Sequence, residues 1–96
     1  MEEASKKVED GKSVRVRVDV EDVEVEVFGD FFMHPEEAIA NLEEVLKDDI
    51  RKRVDEIADD VENYLEDENV ELLGVSAEDI ADCVAEARER DREEGG

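Results

Sequence analysis

The sequence predicts an α+β domain, a small antiparallel sheet with helices packed on one of its faces. Three observations predict it. Valines alternate strictly with charged residues from Val14 to Val20 and again from Val23 to Val27, the period of half-buried strands. Apolar residues then recur at three- and four-residue spacing from Ala38 onward, the period of amphipathic helices. The order is β, β, then helices, within 96 residues, which suits one domain with one modest core. Residues 1–6 and 91–96 are expected to fray at the two ends.

Residues 1–10 are polar, with only Val8 able to join a core, so they either fray or add an edge strand. Gly11-Lys12 opens a hairpin expected over residues 12–28. Val14, Val16, Val18 and Val20 face one way, and Val23, Val25 and Val27 continue the pattern after a short connection near Glu21-Asp22. The opposite face brings Arg15 and Arg17 towards Glu24 and Glu26, exposed pairs that contribute ~0.2–1 kcal/mol each. Gly29 is expected to end the second strand.

Pro35 suits the first position of a helix, and Glu36 and Glu37 favour its positive end. Ala38, Ile39, Leu42, Val45 and Leu46 form one apolar stripe, and Ile50, Val54, Ile57, Val61, Tyr64 and Leu65 form another. The sequence leaves open one helix or two over residues 35–66; a break near residue 48 is favoured, giving helices 35–47 and 49–66. Residues 70–75 read as an apolar connector with a turn at Gly74. Ser76-Ala77-Glu78-Asp79 has the form of a capping box. It opens a third helix, 76–90, with Ile80, Cys83, Val84 and Ala87 buried and Arg88, Arg90 and Arg92 in its last turns.

The net charge is −21, from 33 acidic and 12 basic residues. With 40% of residues apolar and regularly patterned, disorder of the whole chain is not expected. The acids are spread along the chain, and no Lys or Arg occurs between Arg53 and Arg88. Such a surface repels itself. At molar salt the Debye length falls to ~3 Å and the repulsion is screened, so the charge reads as halophilic adaptation. Mimicry of a nucleic acid is the sharper alternative. Binding of a nucleic acid is disfavoured, because no run of basic residues is available to neutralise phosphates. The absence of a signal-peptide pattern or a long apolar run points to a cytoplasmic protein with no membrane partner.

Little in the chain suggests chemistry. No Gly-rich phosphate loop has the required spacing. The lone histidine, His34, has no nucleophile or acid grouped with it in sequence and reads as an exposed residue at a helix start. Asp55, Asp59, Glu62 and Glu66 read as a solvated helix face, not a calcium loop. Cys83, the only cysteine, reads as a small core residue. No catalytic residue and no metal ligand is assigned. What stands out is Gly29-Asp30-Phe31-Phe32-Met33-His34-Pro35. The chain has three phenylalanines and one tyrosine, and all three phenylalanines fall in or beside this stretch. Adjacent phenylalanines alternate faces in extended backbone, so one is expected in the core and the other towards a partner.

Gly11-Lys12 before a Val-rich hairpin, then Gly29-Asp30-Phe31-Phe32 with Pro35-Glu36-Glu37, resembles the C-terminal accessory domain of lipoate–protein ligases. Leu73-Gly74-Val75-Ser76-Ala77-Glu78-Asp79-Ile80 is similar to that domain's closing helix start. The resemblance spans residues 7–90. It departs from the family in a shorter hairpin connection and a far more acidic surface. It implies a non-catalytic accessory subunit that forms a heterodimer with a catalytic subunit. That subunit would hold ATP, Mg and lipoate, so that lipoate is activated to lipoyl-AMP. The acceptors would be a 2-oxoacid dehydrogenase acyltransferase or the glycine cleavage H protein. On this resemblance Gly29, Asp30, Phe31, Phe32 and Pro35 form the partner interface, and Gly11 and Lys12 contact the composite site; the alternatives are that both phenylalanines plug the corner between sheet and helix and that Lys12 is simply solvated. A stand-alone acidic interaction protein is the competing class. An iron–sulfur assembly scaffold is the third, disfavoured by the single buried-type cysteine.

Overall fold

The computed structural model describes residues 1–8 and 12–95. The strands are β1 (Glu2–Lys7), β2 (Ser13–Asp19), β3 (Glu24–Asp30), β4 (Phe32–His34) and β5 (Glu71–Leu73). The helices are α1 (Ala38–Asp48), α2 (Val54–Asp67) and α3 (Ala77–Gly95). The architecture is α+β, with an antiparallel sheet in the order β1-β2-β3 and a separate antiparallel ribbon of β4 and β5. α3 packs on β1 and β2, α1 on β3, and α2 lies against α3 and α1.

The alternation works as the residue pattern dictates. Val14, Val16 and Val18 of β2 and Val25 and Val27 of β3 are buried with Ala4 of β1. They meet Leu42 and Leu46 of α1, Ile57 and Val61 of α2, and Ile80, Cys83, Val84 and Ala87 of α3 in one core. Burying a side chain of this size contributes ~1.5–3 kcal/mol. Burial pushes the Cys83 thiol up to about 11, so it stays protonated and apolar in character. Ser76 caps α3 as its sequence predicts: its Oγ accepts from the Asp79 amide at 3.1 Å, and its own amide donates to Asp79 Oδ2 at 2.9 Å.

Several boundaries depart from the sequence expectation. The N-terminal residues do not fray. β1 pairs along β2 from Glu2↔Val18 to Lys7↔Ser13, and Met1 is tied by its amino group to Asp91 at 2.9 Å. The hairpin turn takes Val20 to Val23, because the Asp22 amide donates to the Asp19 side chain at 3.1 Å and closes a tight Asx-type turn. Val23, expected to face the core, is exposed with φ 54. β3 continues through Gly29 to Asp30. The first helix starts at Ala38, not Pro35. The chain leaves β4 at His34 through a cis peptide bond to Pro35, and the amides of Ala38, Ile39 and Ala40 make short three-residue turns back to Pro35, Glu36 and Glu37. The break near residue 48 is present, but the link runs on to Arg53 before α2 begins. The third helix extends to Gly95, beyond the expected end at residue 90.

The outer face of the sheet also pairs differently. Arg17 lies opposite Glu26 in register, yet Arg15 and Arg17 turn to Glu3 of β1, at 4.0 and 3.3 Å. Their guanidinium groups lie over Phe28, at 5.2 and 5.5 Å from the ring centre. Phe28 therefore belongs to this face and not to the aromatic turn. The edge of β3 is covered in part by α1, since the Val27 amide donates to Glu43 at 2.8 Å.

One buried acid sets a pH dependence. Asp49, in the link after α1, is 3% exposed, and its Oδ2 has no hydrogen-bond partner. Its other oxygen meets Lys52 at 3.2 Å, and Lys52 also meets Asp60 at 2.9 Å. Burial, then the neighbouring Asp60 carboxylate, push the Asp49 carboxyl up to about 6, with Lys52 opposing. An acid whose proton is held more tightly in the folded chain contributes stability at low pH. That contribution is lost as pH rises from about 4 through about 6. Asp49→Asn should therefore gain about 1–3 kcal/mol over the parent at pH 7–8 and little at pH 4. Unfolding of both chains across pH checks this; a difference independent of pH would contradict it.

Candidate partner interface

The β4–β5 ribbon is too short to have a core of its own, and it sorts its side chains by face. Met33 points inward and is buried, while its neighbours Phe32 and His34 point outward. Phe32 is directly opposite Leu73 and His34 opposite Glu71. Phe32 and Leu73 are 51% and 53% exposed, among the most exposed large apolar side chains of the described residues. The rings of Phe32 and His34 are parallel within 3°, with centres 6.3 Å apart. The outer face is thus aromatic and aliphatic on a molecule whose surface is otherwise dominated by carboxylates.

Phe31 and Phe32 separate as adjacent residues in extended backbone must. Phe31 is half-buried and packs against the core, while Phe32 faces solvent. Gly29 sets where they emerge. It lies opposite Val14 with φ 147, and a Cβ there would stand 2.5 Å from the Ser13 carbonyl oxygen and 2.9 Å from Val14 Cα. Only glycine allows the two strands to approach so closely. Asp30 pairs with Ser13 at the end of the sheet and is exposed, as is Pro35.

The fold brings Lys12 to the same end. Its stem lies against Gly74, with carbons 3.2, 3.4 and 3.6 Å from where a Cβ would stand there, and Gly74 has φ 97. Lys12 makes no ion pair among the described residues. Gly11, named with Lys12 as a contact of the composite site, lies outside the described residues. Gly29, Asp30, Phe31, Phe32 and Lys12 therefore lie at one end of the domain, whereas Pro35 follows the other end of β4, beyond His34.

No family model, curated protein or solved structure matches the chain.

Sequence reading missed two contributors, Leu73 and His34. His34 is exposed as expected, but it belongs to a strand and not to a helix start. Leu73 was hidden in the connector 70–75. The available signal was the pair Leu72-Leu73 before Gly74: consecutive apolar residues in extended backbone cannot both enter the core. Among the described residues no group of three or more His, Cys, Asp or Glu side chains is arranged to hold a metal ion, and no helix is long and apolar enough to cross a membrane.

Proposed function

We propose that the chain is the accessory subunit of a two-component lipoate–protein ligase, docking on the catalytic subunit through the outer face of the β4–β5 ribbon. The observation that carries the docking surface is the paired exposure of Phe32 and Leu73. Exposed apolar groups clustered on one face and rimmed by charge are characteristic of interaction sites. Met33, buried beneath them, fixes the ribbon, so the anchor is presented without the entropy cost of ordering a loop. The resemblance in Gly29-Asp30-Phe31-Phe32 and in the Ser76-capped helix supplies the partner. The aromatic end then meets the catalytic subunit. Lys12 beside it offers a single cation to an acidic group or phosphate at the composite site. ATP, Mg, lipoate and the acyl-transfer chemistry belong to the catalytic subunit in this reading. This chain completes the surface against which lipoyl-AMP forms.

The test is association. Mixed with the catalytic subunit of a ligase that lacks its own accessory domain, in molar KCl, the chain should elute as a one-to-one heterodimer. Separate elution of the two proteins at micromolar concentration would contradict the proposal.

A further inference from the structure

A cleft lined almost wholly by cations is an anomaly on a chain with 33 acids and 12 bases. Arg51, Lys52, Arg53, Arg88 and Arg92, with Val20 beside them, line a cleft of about 360 Å³. Five of the twelve bases thus meet at one place. In sequence they lie on either side of the base-free stretch 54–87. The fold closes that gap. Arg51, Lys52 and Arg53 occupy the link between α1 and α2, while Arg88 and Arg92, four residues apart, share one face of α3.

These cations are held differently. Arg88 donates from Nη1 to the carbonyls of Ile50, at 3.1 Å, and Lys52, which fixes the link onto α3. Its Nε is buried and has no acceptor. Lys52 is engaged by Asp49 and Asp60, and Arg53 by Asp55 at 3.5 Å. Arg92 has only a long pair to Glu89, at 4.0 Å. Arg51 is exposed and makes no ion pair among the described residues. Arg51 and Arg92 are therefore the least engaged guanidinium groups of the cleft. A concave wall carrying one sign of charge focuses its potential. The planar guanidinium fork matches the oxygens of a phosphate group.

We propose that this cleft binds a small phosphate-bearing anion, with Arg51 and Arg92 contacting its oxygens and Arg88 acting as a positioning residue that holds the link in place. The site is at the turn end of the β2–β3 hairpin: Val20 follows the last residue of β2, whereas Lys12 precedes the first. It is thus separate from the docking ribbon and independent of the ligase reading. The cations come from two separate elements, a link and a helix, and pyrophosphate offers them two phosphate groups and more negative charge, so pyrophosphate binds more tightly than inorganic phosphate.

The test uses the full chain labelled with ¹⁵N, in the lowest KCl concentration at which it still unfolds cooperatively. Pyrophosphate, inorganic phosphate and chloride are titrated separately at matched ionic strength. The expected result is saturable change in the side-chain Nε–Hε signals of Arg51, Arg88 and Arg92 with pyrophosphate, a weaker saturable change with phosphate, and only a linear drift with chloride. Arg51→Gln with Arg92→Gln should weaken pyrophosphate binding about tenfold. Lys7→Gln with Lys47→Gln removes the same charge elsewhere and should leave binding within about twofold, as expected for surface charges away from the site. Non-saturable change with pyrophosphate, the same response to chloride, or equal losses in the two double variants would overturn the proposal.

Discussion

Replacing Phe32 by alanine should weaken association with the catalytic subunit about 30-fold or more, a loss of ~2 kcal/mol, while shifting the stability of the free chain by less than ~0.5 kcal/mol. The two effects separate because Phe32 is half exposed and its ring meets His34 on the outer face. Phe31→Ala should do the reverse. Its ring packs against the core, so truncation should cost ~2–3 kcal/mol of stability, less than a fully buried phenylalanine. It should leave association nearly unchanged where the variant is folded. Leu73→Ala should follow Phe32→Ala, since the two residues are opposite each other in the ribbon. Melting and binding measured on all three variants decide the matter. Normal binding by both Phe32→Ala and Leu73→Ala would remove the ribbon from the interface.

Gly29→Ala should destabilise the chain by about 2–4 kcal/mol. The added Cβ would stand 2.5 Å from a backbone oxygen of β2, at a φ of 147 that other residues rarely adopt. Backbone on a central strand cannot swing aside as a side chain can. Gly74→Ala provides the comparison. It has φ 97, but its nearest neighbours are carbons of the flexible Lys12 stem, at 3.2 Å and beyond. Its cost should be about 1–2 kcal/mol, mostly the backbone conformation. Denaturant unfolding of both variants measures the difference. A Gly29→Ala chain within ~0.5 kcal/mol of the parent would mean that the β2–β3 approach is looser than described.

The fold was legible where burial follows a local period. Val14, Val16, Val18, Val25 and Val27 announced their strands, and Leu42, Leu46, Ile57 and Val61 their helices, because each repeat places successive side chains on one face. Ser76 and Asp79 announced a helix start, because both bonds of the capping box are local. The β4–β5 ribbon was not legible. Its strands have three residues each, too few for a period, and Met33 finds its partner Leu72 far along the chain. Val23 misled because a valine in a turn continues the alternation of the strand beside it.

The candidate site was half legible for the same reason. Two adjacent phenylalanines imply one inside and one outside from backbone geometry alone, but not which is which. That Phe31 packs inward follows from where β3 ends and β4 begins. The placement of Lys12 against Gly74 depends on how the ribbon sits beside the sheet. The convergence of Arg51, Lys52 and Arg53 with Arg88 and Arg92 depends on α2 turning back along α3. No pattern in the sequence encodes either approach.

Formation of lipoyl-AMP in the reconstituted pair tests the central claim most directly. With ATP, Mg and lipoate supplied in molar KCl, neither the chain alone nor the catalytic subunit alone should release pyrophosphate at an appreciable rate. Adding the chain to the catalytic subunit should raise the rate until it saturates at one chain per catalytic subunit. Pyrophosphate release by the isolated chain, or a rate from the catalytic subunit that does not change when the chain is added, would contradict the account.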